Sequence, residues 1–106
     1  MKTSVVIESE HLKIVKEILS RHLPTHSKVW VFGSRAKEEE KIKKFSDLDL
    51  LIDINHAPLS LSILADLADD FDECVLPYKV DIVDWNAVTD SFKDLIKEQC
   101  ILIWEK

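Results

Sequence analysis

Apolar positions along the chain fall into two alternating patterns, one of helical period and one of short unbroken runs. From Glu8 to Leu23, Leu12, Ile14, Val15, Ile18 and Leu19 recur at helical spacing, with Ser9 placed to cap the run and Pro24 to stop it. Val29-Trp30-Val31-Phe32 is then a β-branched and aromatic run between Pro24-Thr25-His26-Ser27 and Gly33, and predicts a buried strand. Arg35 to Lys44 are nearly all charged and predict a short helix followed by an exposed loop. Ser46 to Ile54 reads as a second strand, which Pro58 breaks. Leu59, Ile63, Leu64, Leu67, Ala68 and Phe71 form a helical stripe opposite Asp66, Asp69, Asp70 and Asp72, an acidic face read as solvated. After Pro77, Tyr78 to Val83 is a third strand. Asp84 to Asn86 offers the turn and cap for a helix around Val88 to Gln99, and Ile101-Leu102-Ile103-Trp104 closes as a fourth strand.

Strands alternating with helices predict a layered α/β (α+β) architecture: a small mixed sheet of about four strands with helices packed against it. The apolar stripe of the first helix is read as core packing rather than as a partner contact. The chain shows no repeat and no low-complexity tract, and residues 1–106 are expected to form a single domain without a linker.

Composition narrows the function. At 106 residues and 46% apolar content the chain suits one core. Its net charge of −6 argues against an extended nucleic-acid surface, which in a domain of this size needs a basic face. No 18-residue apolar run exists, and the N-terminal stretch Met1 to Glu8 meets charge too soon for a signal-peptide core, so a soluble, cytoplasmic protein with no membrane attachment is expected. Cys74 and Cys100 lie far apart in apolar neighbourhoods and read as reduced, packed thiols. His22 and His26 have the spacing of helical metal ligands, but Pro24 between them ends the helix, so a zinc site is not expected.

The chemistry concentrates between Val29 and Asp84. Gly33 is the only glycine of the chain, where average usage of about 7% would give several; it marks a place at a strand end where no side chain can be tolerated. Asp49 is enclosed by Leu48, Leu50, Leu51 and Ile52, and Asp81 by Val80, Ile82 and Val83, so both are expected in buried surroundings where an ionised carboxylate needs a partner. Few basic residues lie near them in sequence, and a divalent cation is the economical explanation. Strand alternation points Asp47 and Asp49 the same way with α-carbons roughly 6–7 Å apart. Asp53 shares that face but lies about 13 Å farther along, too far to join them, and reads as a strand-end charge. Asp81 and Asp84 face opposite sides of their strand; Asp81 is assigned to the cluster and Asp84 to a capping role. Oxygen-only ligands with open positions suit Mg²⁺ bridging to phosphates, and the absence of a loop glycine after Asp49 excludes an EF-hand. The Gly33-Ser34 turn, a bare backbone and a hydroxyl where a strand meets a helix start, is suited to approach a phosphate.

Gly33-Ser34-Arg35-Ala36, Ser46-Asp47-Leu48-Asp49-Leu50 and Val80-Asp81-Ile82-Val83 together resemble the signature of the minimal nucleotidyltransferases of the DNA polymerase β-like superfamily. The small stand-alone members of that group are often antitoxin partners of HEPN-domain proteins. The resemblance implies a nucleotidyltransferase fold in which Gly33 and Ser34 hold the nucleotide's phosphates. It implies that Asp47 and Asp49 bind Mg²⁺, and that Asp81 helps to bind metal and activates the acceptor hydroxyl. It further implies transfer of AMP from ATP to a hydroxyl of a HEPN-type toxin held in a complex. Arg35, with Lys37, Lys43 and Lys44, would then reach the triphosphate, against a plainer reading as solvated loop charge. Two departures stand out. Glu38-Glu39-Glu40 occupies the place of a family glycine, and the twelve residues between Ser34 and Asp47 make a longer segment than the adenylylating antitoxins have.

Three functions follow as expectations. The first is an active transferase. The second is a non-catalytic module that neutralises a HEPN-type partner by contact. The third is a phosphodiester or nucleotide hydrolase, for which no His or Lys is placed to organise the attacking water. With nothing in the chain spare to hold an acceptor, a separate protein or a homodimeric copy is expected to supply it. Trp30, Trp85 and Trp104 are candidates for such an interface, with Trp30 more simply placed in the core.

Overall fold

The computed structural model describes residues 7–33, 47–55 and 57–106. The expected helix and loop over Arg35 to Lys44, and the candidate residues Ser34 and Arg35, lie outside them. In chain order the elements are α1 (Ser9–His22), β1 (Ser27–Phe32), β2 (Leu48–Ile54), α2 (Leu61–Glu73), β3 (Val80–Asp84), a 3₁₀ turn (Trp85–Ala87), α3 (Asp90–Lys97) and β4 (Ile101–Glu105). The strands form one sheet in the order β3-β2-β1-β4. β1 pairs antiparallel with both β2 and β4, while β2 and β3, joined through α2, run parallel. This is the mixed four-stranded sheet that the sequence pattern predicts.

The core lies between the sheet and the α1/α2 layer. Val15, Ile18 and Leu19 of α1, with Leu67 and Phe71 of α2, pack on Val29 and Val31 of β1 and on Leu48, Leu50 and Ile52 of β2. Even-numbered residues of β2 thus face the helices, and by strand alternation Asp49, Leu51 and Asp53 face the other way. On that second face Trp30 meets Trp85, and Phe32 meets Phe92 of α3 edge to face at 6.0 Å. Its middle is therefore covered as well, and Leu51 is only 1% exposed.

Element boundaries follow local chemistry, with two corrections. Ser9 does not cap α1: Glu8 holds the N-cap position without a side-chain hydrogen bond, because Ser9 already lies inside the helix. At the other end Leu23 is extended, as the residue before a proline must be, and the run stops as expected. Asp84 does not start α3. Its carboxylate accepts from the backbone N–H of Asn86 at 3.0 Å and so caps the 3₁₀ turn, while the Thr89 hydroxyl caps α3 by accepting from Phe92 N–H at 3.2 Å. Ser60 caps α2 in the same way.

Candidate functional site

β1 ends at Phe32 and the chain turns at Gly33, whose φ of +76° lies in the region that favours glycine. A Cβ added there would sit 2.6 Å from Asp49 Oδ2. The only glycine is therefore needed twice, for its backbone angle and for the room it leaves to a carboxylate. Phe32 is the register partner of Asp49 across the β1/β2 pair, which brings the turn against that side chain.

On its other side Asp49 is in register with Asp81 of β3. Neighbouring strands lie about 4.8 Å apart, so two like charges stand side by side on one face. Asp47 sits just before β2, exposed. Burial, reinforced by the charges of Asp81 and then Asp47, pushes the Asp49 carboxyl above its usual range. Asp81 is not without a cation: Lys79 Nζ lies 3.4 Å from its Oδ1, on side chains 71% and 39% exposed. Lys79 stands just before β3, two positions ahead of Asp81, a spacing that marks it in the sequence but that the expectation of few nearby bases overlooked. In so open a pair the interaction is weak.

The expected burial of Asp49 and Asp81 is corrected. Both are half-buried, because their apolar sequence neighbours turn to the helix layer while they turn to the open side. The buried carboxylate is Asp53, 6% exposed, which was expected as a strand-end charge. It accepts from Asn86 Nδ2 at 3.0 Å, and Asn86 also donates to the carbonyl of Ala57, so the group locks the 3₁₀ turn to the end of β2. Asp53 stays out of the Asp49–Asp81 pair, two side-chain positions away. Asp84 is held by its own turn and by Leu59 N–H at 2.9 Å, which leaves Asp81 as the β3 carboxylate beside Asp49.

Among the described residues no three His, Cys, Asp or Glu side chains stand together as a complete metal site. What stands ready is a pair, Asp49 and Asp81, with Asp47 near enough to act on the charge of Asp49. The donor chemistry fits a hard divalent cation. All three are carboxylates, the negative charges of Asp81 and Asp47 add to burial in holding the Asp49 carboxyl above its usual range, and a cation between them would offset that repulsion.

This arrangement has known relatives. The sequence profile of the family described as "Polymerase beta, Nucleotidyltransferase" matches residues 13–106. The chain belongs to the polymerase β nucleotidyltransferase family. This nucleotidyltransferase is 43% identical over 100 residues to the "Probable protein adenylyltransferase MntA" of Haemophilus influenzae, across 94% of this chain and 84% of that protein. Its fold matches a chain of the complex of a tri-AMPylated HEPN toxin with MNT antitoxin from Shewanella oneidensis, with a TM-score of 0.70 and 17% identity, covering 94% of this chain and 74% of that one. A toxin–antitoxin structure with AMP-PNP matches equally well, with a TM-score of 0.70 and 19% identity over 90% of this chain and 73% of that one. At these identities the structural likeness speaks for the fold; the family rests on the sequence.

Proposed function

We propose that this nucleotidyltransferase moves AMP from ATP, with Mg²⁺, onto a hydroxyl of a HEPN-type partner protein, as the antitoxin half of a cytoplasmic pair. The observation that carries the reading is the side-by-side placement of Asp49 and Asp81 against the bare turn at Gly33. The name of the Haemophilus relative and the AMPylated HEPN toxin found with a protein of the same fold support the substrate and the acceptor. The free thiols of Cys74 and Cys100 suit a reducing compartment, and no helix among the described residues is long and apolar enough to cross a membrane.

In this reading Asp47, Asp49 and Asp81 hold the cation, which when bound neutralises charge on the phosphoryl oxygens and the leaving group. Gly33 leaves room for the Asp49 carboxylate beside the turn at which the triphosphate would be held, with Ser34 and Arg35 following it along the chain. Asp81 takes the proton of the acceptor hydroxyl as its oxygen attacks the α-phosphorus. The bond to the β-phosphate breaks in line and pyrophosphate leaves.

The test is incubation of the purified chain with Mg²⁺, α-labelled ATP and its co-purifying partner. Label on the partner, lost with Asp49→Ala in a folded chain, is the expected result. A tight complex that never takes label marks a binding module instead, and free AMP marks a hydrolase.

A further inference from the structure

Phe32, Asp49 and Asp81 form one row across the second face of the sheet, and the register places Trp30, Leu51 and Val83 in the next row of that face. A step of two strand residues is about 6–7 Å. Over this second row, between the 3₁₀ turn and the end of α3, lies a cavity of about 200 Å³ lined by Trp30, Leu51, Trp85, Lys97 and Cys100. Its lining is almost wholly apolar, and Leu51 belongs to it. We propose that this slot seats the purine base of the nucleoside triphosphate, an inference that rests on the nucleotidyl-transfer reading above.

Three features point to a flat aromatic ligand. The rings of Trp30 and Trp85 are 6.3 Å apart and tilted by 38°, so the two indoles are not stacked face to face. Lys93 Nζ lies 4.9 Å over the Trp85 ring and braces it. Stacking of a base on an aromatic side chain contributes about 1–3 kcal/mol and needs no dedicated hydrogen bonds, so an apolar slot with one charged residue, Lys97, suffices. A two-ring purine overlaps more of an indole than a pyrimidine does.

Position supports the same occupant. A phosphate at the Gly33–Asp49 end and a base against Trp30 are one row apart on the same face, which leaves the ribose to bridge them. A second cavity, about 240 Å³, lies at the opposite end of β1 among His26, Lys28, Asp53, Glu105 and Lys106. It is polar, and no tryptophan lines it.

Cys100 supplies a reporter inside the slot. ATP with Mg²⁺ is expected to bind the intact chain and to slow alkylation of Cys100 by N-ethylmaleimide several-fold, read by mass spectrometry, with Cys74 unaffected. Inorganic tripolyphosphate with Mg²⁺ is expected to bind without protecting Cys100. CTP should bind somewhat more weakly than ATP, and Trp85→Ala should weaken ATP by roughly tenfold while leaving tripolyphosphate unchanged, with Trp85→Phe recovering most of the loss. Equal alkylation of Cys100 with and without saturating ATP overturns the slot while the transfer reading stands, and that measurement needs no substitution. Failure of the intact chain to bind either ATP or tripolyphosphate overturns both.

Discussion

At the level of single residues, Gly33 and Asp49 define each other. Gly33→Ala meets both a positive φ and a carboxylate oxygen at 2.6 Å. It is expected to lower stability by about 1–3 kcal/mol in urea titrations, and to displace Asp49 even where the chain still folds. Asp49 carries the opposite lesson. Its folded-state value is raised, so its stabilising contribution is present below the ordinary carboxyl value of 3.8 and is lost as pH rises through the raised value. At neutral pH the ionised side chain therefore costs stability. Asp49→Asn should melt higher than the parent in metal-free neutral buffer, the gap closing in acid and narrowing when Mg²⁺ is added to the parent. A variant that melts lower at neutral pH would contradict the like-charge reading. The sequence led to Gly33 through its rarity and to Asp49 through its apolar neighbours. That the glycine serves the carboxylate belongs to the register of β1 on β2, which no single stretch encodes.

Among the elements, the apolar pattern located the three α-helices and four strands of the described residues because each buries one face, and burial is what that pattern records. It could not say which strands are neighbours or which pair is parallel, since faces carry no information about partners. The capping errors share that origin: Ser9 and Asp84 are both competent caps, and the choice between them and their neighbours depends on where the chain enters the layer. The α1/α2 contact carries its own pH dependence. His22 hydrogen-bonds Asp70, and Arg21 Nη1 lies 3.6 Å from the same carboxylate. His22 first, with Arg21 adding to it, holds the Asp70 carboxyl below its usual range. A lowered folded value means stability present above the ordinary carboxyl value and lost as pH falls through the lowered one. Asp70→Asn should therefore lower the melting temperature near neutral pH, and the difference should vanish once acid protonates the side chain in the folded parent. A difference that persists at low pH would assign the effect to packing instead.

For the whole molecule, the site lies at the carboxyl end of β1 but at the amino ends of β2 and β3, a position open only to a sheet that mixes the two senses of pairing. The acidic chemistry was legible in the sequence because charged residues in apolar strands are conspicuous. The tryptophan slot was not, because Trp30, Trp85 and Cys100 come from three separate parts of the chain and meet only when α3 closes over the sheet.

The parallel pairing of β2 and β3 also bears on folding. Among the described residues β3 lies at the margin of the sheet, with a strand on one side only, and its pairing sets two negative charges in register. Its docking is thus opposed by the same repulsion that makes it useful, and local opening there should be easier than global unfolding. Amide hydrogen exchange read residue by residue is expected to be faster for Val80 to Val83 than for β1, and Mg²⁺ should slow β3 selectively. The divalent cation would then act as the clasp that finishes the sheet, tying the completion of the fold to the arrival of the reactants.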